Sequence, residues 1–229
     1  MLTGTSRPLH LEKPEAIDLM QAARYFGARG EVDAATMHLL EQCAAPLLAA
    51  AMPRAVWLET EVSALAEAGI LQGEDIFRHL EGCSHAILLA VTLGAGVDGQ
   101  IRRAGVGDIA ASVASDALGS ALAEQAADAA EAELRQWAAK EGKYLTGRFS
   151  PGYGDWSITV QPLVAAALDT SRRAGLYVTD SNLMTPRKSI TALLGVSDHP
   201  VKGRLAGCGH CVLNSRCEYR KRGKTCASE

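Results

Sequence analysis

The feature that most constrains the fold is the alanine-rich stretch at residues 109–140, which contains one glycine, Gly119, and no proline. Alanine has the highest helix propensity of the amino acids, and glycine and proline are the residues that most disfavour a helix interior. We therefore predict one long helix or two consecutive helices here. In a chain of 229 residues, the surrounding segments are expected to complete one domain with appendages.

Shorter helical and strand patterns lie on both sides of this stretch. Apolar residues recur at helical spacing in residues 15–26, and Asp33 is placed to cap a second helix that runs toward Pro53. Residues 55–62 alternate apolar and polar side chains, which predicts a strand with one polar face, whereas the apolar run 85–92 predicts a more deeply buried strand. Further helices are predicted at residues 73–80 and 161–174, and further strands at residues 176–178 and 190–196.

Composition and charge exclude several classes of function. The net charge is -3 and the sequence pI is about 6.1, so no overall basic field attracts nucleic acid, although residues 216–224 form a short basic run. The N-terminus lacks the pattern of a secretory signal, and the most apolar stretch, 86–97, is too short to cross a bilayer. We expect a cytoplasmic protein that binds neither nucleic acid nor membrane.

Four of the six cysteines are concentrated near the C-terminus with the spacing C-x2-C-x5-C-x8-C. In a reducing compartment such cysteines are poor candidates for disulfides and better candidates for metal ligands. The spacing is compatible with an iron-sulfur cluster, with zinc or with free thiols, and His210 could replace one ligand of a zinc ion. Cys43 and Cys83 lie in apolar segments and are expected in the core. The predicted metal ligands are Cys208, Cys211, Cys217 and Cys226.

Glycines follow the apolar strand in a GxGxxG pattern formed by Gly94, Gly96 and Gly99. This arrangement can hold a pyrophosphate at the start of a helix. Here Gly105 and Gly107 interrupt the next segment, so the pattern is weak evidence for a dinucleotide site.

The sharper local signal is the loop at residues 148–156, RFSPGYGDW. Arg148 can form a paired hydrogen bond with a carboxylate, Gly152 lets the backbone approach a ligand, and Tyr153 can stack or donate. A tight turn with an exposed arginine is the alternative interpretation. Asp155 could touch a ligand of the loop or cap the following helix.

Arg148, Gly152 and Tyr153 resemble the RxxxGY signature with which the activation domains of cobalamin-dependent methionine synthases hold S-adenosylmethionine (AdoMet). Residues 179–189, TDSNLMTPRKS, resemble a second pattern of the same family, and residues 122–125 resemble its helical LAE segment. The family motif continues to a proline four residues after the tyrosine, where this chain has Ser157.

The resemblance implies an α+β fold in which helices flank an antiparallel β-sheet. It also implies that Glu124 contacts the ammonium group of AdoMet and Arg148 its carboxylate, which is the charge pair that a zwitterion needs. Ser150 and Gly152 are implied as further binding residues, Ser150 through its backbone, and Tyr153 as the candidate catalytic residue.

We accordingly expect a helical segment at residues 1–54, an AdoMet-binding domain at residues 55–200 and a cysteine-rich tail at residues 201–229. The implied function is the reactivation, in trans, of a corrinoid-dependent methionine synthase or another corrinoid protein, which carries the cobalamin. A flavodoxin or ferredoxin would donate the electron. Two alternatives are an iron-sulfur redox activator of a corrinoid methyltransferase and a non-catalytic AdoMet-binding docking module.

Overall fold

The computed structural model describes residues 4–28 and 30–201, so the predicted cysteine ligands, His210 and the basic run lie outside the described residues. The helices are α1 (Leu19–Phe26), α2 (Ala34–Ala50), α3 (Val62–Glu67), α4 (Glu74–His79), α5 (Ala95–Ala104), α6 (Ile109–Lys140), α7 (Gln161–Leu168) and α8 (Thr170–Arg173), with a 3-10 helix at Ile158–Val160. The strands are β1 (Arg7–Leu9), β2 (Arg54–Glu61), β3 (His85–Thr92), β4 (Tyr144–Leu145), β5 (Tyr177–Val178), β6 (Met184–Thr185) and β7 (Ser189–Ser197).

The centre of the molecule is a five-stranded sheet with the order β1-β2-β3-β7-β4, in which every neighbouring pair is antiparallel. Leu88 of β3 lies opposite Leu58 of β2 and Leu193 of β7, which places the three leucines on one face of the sheet. β5 and β6 form a separate hairpin. The antiparallel sheet flanked by helices is therefore confirmed.

Helices cover both faces of this sheet, and the expectation that the strand at residues 55–62 has one polar face is wrong. Trp57 of β2 is buried in the core cluster that includes α6, with its ring 4.9 Å from that of Trp137. Glu59 lies on the same face, where Lys143 donates a hydrogen bond of 2.8 Å to it. This face of β2 is covered, because α1, α2, α5 and α6 all pack on it. The polar residue Glu59 is therefore an acid that is paired inside a covered face.

Residues 109–140 form the single long helix α6, as one of the two alternatives predicted. Asp108 caps it by accepting a hydrogen bond of 3.0 Å from the backbone N–H of Ala111. Its small alanines allow close packing against the sheet, while Leu118 and Leu122 are fully buried and contribute about 1.5–3 kcal/mol each. The opposite side of the sheet is covered by α3, α4 and α7.

Helix boundaries differ from the sequence prediction at two places. Asp18 accepts a hydrogen bond from the backbone N–H of Gln21, so α1 begins at Leu19 rather than near residue 15. The helix predicted at residues 161–174 is divided into α7 and α8, because Asp169 adopts the left-handed conformation with φ 52°.

The glycine pattern after β3 has a packing explanation. A Cβ atom on Gly96 would lie 2.6 Å from the carbonyl oxygen of Ala50, so the glycine permits the close approach of α5 and α2. Within the described ranges, no helix has both the length and the apolar character needed to span a membrane.

Candidate functional site

The segment that follows β4 lies along β7 and presents alternate side chains to opposite sides. The backbone N–H of Phe149 donates to the carbonyl of Leu193 at 2.9 Å, and the N–H of Leu193 donates back at 2.8 Å. Phe149 therefore packs into the core cluster, where its ring stacks on that of Trp156. Because side chains alternate along an extended strand, Arg148 and Ser150 lie on the side of the sheet that α6 covers.

Helix α4 holds this loop at both ends. The carboxylate of Asp155 accepts hydrogen bonds from the backbone N–H groups of Glu74 at 2.7 Å and Asp75 at 2.9 Å. These bonds hold the pKa of Asp155 below its usual value. At the other end of α4, His79 Nε2 lies 3.0 Å from the carbonyl oxygen of Gly147. The expected capping role of Asp155 thus falls on α4, which precedes the loop, and not on the following helix.

Ser157 caps the short 3-10 helix that follows the loop. Its hydroxyl accepts a hydrogen bond of 3.2 Å from the backbone N–H of Thr159, and its φ is -61°. This φ is also the value that proline requires, so the family's proline and this serine suit the same backbone conformation.

Arg148 lies against three carboxylates on one face of α6. Its Nη2 is 2.5 Å from Asp128 and 3.3 Å from Glu124, and its Nε is 3.3 Å from Glu131. The acids are spaced four and three residues apart, which places them on one helical stripe. Within the part of the chain that the structure describes, Nη1 of Arg148 is buried and has no hydrogen-bond partner. A buried donor without a partner is unfavourable, so the guanidinium retains a free N–H for a ligand.

A cavity of about 240 Å³ opens beside this ion-pair cluster. It brings together Arg148, Glu124, Ser150 and Tyr153, all of which were predicted as site residues. Gly152 does not line the cavity. With φ 95° it shapes the loop, because its N–H donates a hydrogen bond of 2.7 Å to the carbonyl of Trp156. The lining residues are His79, Glu124, Arg148, Phe149, Ser150, Tyr153 and Ile190.

The electrostatics of the cavity are set by burial and by neighbouring charges. Burial raises the pKa of Glu124 above its ordinary value, Arg148 opposes this shift, and Asp128 adds to it. The pKa of Tyr25 in α1 is also raised, first by burial and then by Glu124, Tyr153 and Asp128. Tyr25 therefore lies within electrostatic range of the site, at the side where α1 packs on α6.

Sequence reasoning missed Asp128, Glu131, Tyr25 and His79. The two acids could have been found, because they follow Glu124 at the helical spacing that shares one face. Tyr25 and His79 carry no such signal, since each reaches the site only through the packing of α1 and α4.

The second stretch that resembles the family, residues 179–189, supports the site without lining the cavity. Its first half forms the β5–β6 hairpin, in which the N–H of Thr179 donates to the carbonyl of Leu183 at 2.8 Å. Its second half leads into β7, where the hydroxyl of Ser189 donates to Pro186 O at 2.7 Å and lies 2.8 Å from Thr92 Oγ1. These bonds fix the start of the strand that carries Ile190.

The cysteines that the structure describes are not part of this site. Cys43 and Cys83 are free thiols that are partly buried among apolar residues. No group of His, Cys, Asp and Glu residues suited to a metal ion occurs in residues 4–28 or 30–201. The predicted ligands Cys208, Cys211, Cys217 and Cys226 lie outside those ranges.

The fold and the site define an α+β domain whose long helix and loop surround a cavity with one free guanidinium N–H and one partly buried carboxylate. The structure is similar to a solved structure described as the MetH reactivation domain bound to AdoHcy, with a TM-score of 0.61, 14% sequence identity and coverage of 96% of this chain and 86% of that chain. The chain therefore has the fold of a methionine synthase activation domain. No protein-family model matches the sequence, and no curated protein matches it.

Proposed function

We propose that this chain binds AdoMet and serves in trans as a reactivation protein for a corrinoid-dependent methionine synthase. The observation that carries the proposal is the cavity in which Arg148, Glu124, Ser150 and Tyr153 meet. The likeness to a reactivation domain bound to AdoHcy supports the same ligand class.

The charges of the cavity suit the amino acid end of AdoMet. A carboxylate can accept a hydrogen bond from Nη1 of Arg148, the N–H that otherwise stays unsatisfied. The ammonium group then lies near Glu124, which is already within 3.3 Å of the same guanidinium. A zwitterion brings no net charge, so it can enter this cluster without leaving an excess of either sign.

The remaining predicted residues shape and cover the cavity. Tyr153 is 65% exposed, with its ring 6.5 Å from that of Phe149, so it stands at the mouth and can close over the ligand. Gly152 supplies the positive φ that turns the loop, and Ser150 offers backbone groups at the cavity wall. In this proposal Tyr153, the candidate catalytic residue, shelters the reacting methyl group.

The reaction needs one electron from a flavodoxin- or ferredoxin-type donor and a methyl cation equivalent from the sulfonium of AdoMet, which leaves as AdoHcy. The cobalamin of the partner would accept the methyl group only after that electron has reduced its cobalt. In this proposal the corrinoid is carried by a partner protein, a methionine synthase or another corrinoid protein. This chain's part is to hold and orient the methyl donor.

The first test is calorimetric titration of the chain with AdoMet and with AdoHcy. Arg148→Ala should weaken binding about 100-fold, because it removes a charge-assisted contact and leaves Glu124 without its cation. Arg172→Ala is the matched control, since Arg172 is exposed and paired with Asp169 elsewhere on the surface. Wild-type protein that binds neither ligand would overturn the proposal.

The second test separates reactivation from simple binding. A corrinoid methionine synthase that lacks its own activation domain is oxidised and then given AdoMet, a reduced flavodoxin and this chain. Recovery of the methylated corrinoid, followed by absorbance, is expected with wild-type protein and not with Arg148→Ala. Binding without recovery would instead favour the docking module.

We further propose that Cys208, Cys211, Cys217 and Cys226 hold an iron-sulfur cluster or zinc. The support is their spacing alone. Visible absorbance together with metal analysis of the full chain distinguishes the two metals. An iron-sulfur chromophore in a chain that does not bind AdoMet would favour the redox activator.

A further inference from the structure

His79 is a buried histidine whose tautomer is fixed by its surroundings. The side chain is 2% exposed, and its Nε2 lies 3.0 Å from the carbonyl oxygen of Gly147. A carbonyl oxygen can only accept, so Nε2 must carry a hydrogen and donate it. The hydroxyl of Thr146 lies 3.0 Å from this carbonyl oxygen and 2.9 Å from Nε2, so it can donate to the carbonyl and accept from Nε2 in the same assignment. In the neutral ring, Nδ1 is then a bare acceptor.

Among the described residues, Nδ1 of His79 is buried and has no hydrogen-bond partner. Buried polar atoms are nearly always paired, and an unpaired one destabilises the fold. His79 also lines the 240 Å³ cavity, so a ligand in that cavity can supply the missing donor.

The environment keeps the ring neutral and in place. Burial lowers the pKa of His79, and the bond to Gly147 only partly opposes this shift. The ring stacks on that of Phe149, with the centroids 5.1 Å apart, which fixes the plane of the imidazole. Nδ1 therefore remains an acceptor near neutral pH.

We propose that Nδ1 of His79 accepts a hydrogen bond from the ammonium group of the bound α-amino acid moiety, so that His79 is a specificity-determining residue of the cavity. This inference rests on the proposed function. An ammonium group carries three N–H donors, and the carboxylate of Glu124 alone does not satisfy all three. A neutral acceptor satisfies a further N–H of the ammonium group without adding another negative charge beside Glu124, Asp128 and Glu131.

The two unpaired atoms of the cavity then have complementary roles. Nη1 of Arg148 is an unpaired donor and selects a carboxylate, whereas Nδ1 of His79 is an unpaired acceptor and selects a donor group. A ligand with both groups on one carbon, as in any α-amino acid, satisfies both atoms at once. The chemistry recognised is a free α-amino acid end, and a ligand that lacks the amino group should lose this contact.

His79 also helps to hold the loop, so the test must separate positioning from recognition. His79→Gln retains an N–H that can reach Gly147, and it replaces the imidazole Nδ1 with an amide oxygen at a different position. His79→Phe retains the stacked ring and removes both nitrogens. Thermal unfolding of the two variants reports the structural contribution, and His79→Gln is expected to unfold closer to wild type than His79→Phe.

The deciding measurement compares AdoHcy with its desamino analogue by NMR titration, which follows weak as well as tight binding. His79→Gln should lower the affinity for AdoHcy about tenfold and leave the affinity for the desamino analogue within about twofold of wild type. In ¹⁵N-histidine-labelled wild-type protein, the Nδ1 resonance of His79 should shift on addition of AdoHcy and not on addition of the analogue.

Equal losses for both ligands, or no loss for either, would overturn the role of His79 while leaving AdoMet binding intact. Failure of wild-type protein to bind AdoHcy would instead overturn the proposed function. A doubly protonated imidazole at neutral pH in the ¹⁵N spectrum would also overturn the inference, because such a ring has no free acceptor.

Discussion

Two cations lie against the same face of α6, yet their surroundings are different. Arg148 contacts Glu124, Asp128 and Glu131 and keeps one buried N–H without a partner in the described structure. Lys188, further toward the start of the helix, contacts Asp116 and Ser120, each at 2.9 Å.

The two cations also differ in their exposure and in how tightly they are packed. The side chain of Arg148 is 17% exposed and lines a cavity, whereas that of Lys188 is 9% exposed. A Cβ atom on Gly119 would lie only 3.0 Å from Cε of Lys188, so the lysine stem fills the space over this glycine. A partly satisfied cation beside a cavity is suited to binding, and a tightly packed cation is suited to stabilising the fold.

The largest effect that tests this comparison is expected from Arg148→Lys. The charge is kept, but the planar fork that can bind the ligand while holding the acids of α6 is lost. Affinity for AdoHcy should fall about 30- to 100-fold in calorimetric titration. Lys188→Arg is the matched variant and should change the affinity less than about twofold, because Lys188 does not line the cavity. Equal losses in both variants would contradict the division of roles.

Removal of the second cation should act on stability instead. Lys188→Met keeps much of the stem but leaves Asp116 and Ser120 without the ammonium, which should lower the free energy of unfolding by about 1–2 kcal/mol in urea denaturation. The figure is modest because Asp116 is 41% exposed. Lys140→Met, at the exposed end of α6, is the control and should be nearly neutral. A tenfold loss of AdoHcy affinity in Lys188→Met would assign the lysine to the ligand site.

The fold could be predicted where local signals are strong. The alanine content predicted the helix at residues 109–140, and the unbroken apolar run predicted β3. Both elements occur with the predicted ends. The covering of both sheet faces could not be predicted from β2, because Glu59 is kept inside by Lys143, which is far away in sequence. The late start of α1 depends on the cap at Asp18, which the spacing of apolar residues does not reveal.

For the candidate site, the sequence predicted the charged pair that lines the cavity but not the other residues around it. Arg148 and Glu124 were found through the family resemblance, and the structure brings them to one cavity. His79 was not found, because its proposed role depends on which ring nitrogen donates a hydrogen bond to the carbonyl of Gly147. Such a relation exists only after α4 has packed beside the loop.

The pH dependence of AdoHcy binding should follow the ionisation of Glu124, which belongs to the Arg148 cluster. The carboxylate must be ionised to attract an ammonium group, and burial raises its pKa above the ordinary 4.5. AdoHcy affinity should therefore be constant above the raised pKa and fall as the pH drops through it, by at most about tenfold per unit. The pKa shift has the opposite effect on stability, because the folded state binds this proton more readily than the unfolded chain. Its contribution to stability should increase as the pH falls through the same range.

Glu124→Gln is the control for this titration. The variant should bind AdoHcy more weakly than wild type at neutral pH, and its affinity should change less as the pH is lowered. An unchanged pH profile in the variant would show that Glu124 does not control the pH dependence of binding. The Lys188 contact should not affect the profile, and Lys188→Met should titrate as wild type does.

The smallest expected effect is a gain of affinity in Asp128→Asn. Asp128 contacts Nη2 of Arg148 at 2.5 Å and is 66% exposed, so it competes with the ligand carboxylate for the guanidinium. Removing its charge should tighten AdoHcy binding about two- to fivefold, because an exposed ion pair contributes only a few tenths of a kcal/mol to about 1 kcal/mol. Glu133→Gln removes an equal charge from an exposed position on the same helix and is the control for the overall charge. Weaker binding in Asp128→Asn would show that this acid contacts the ligand or orients Arg148 toward it, in which case the three acids support the bound state together.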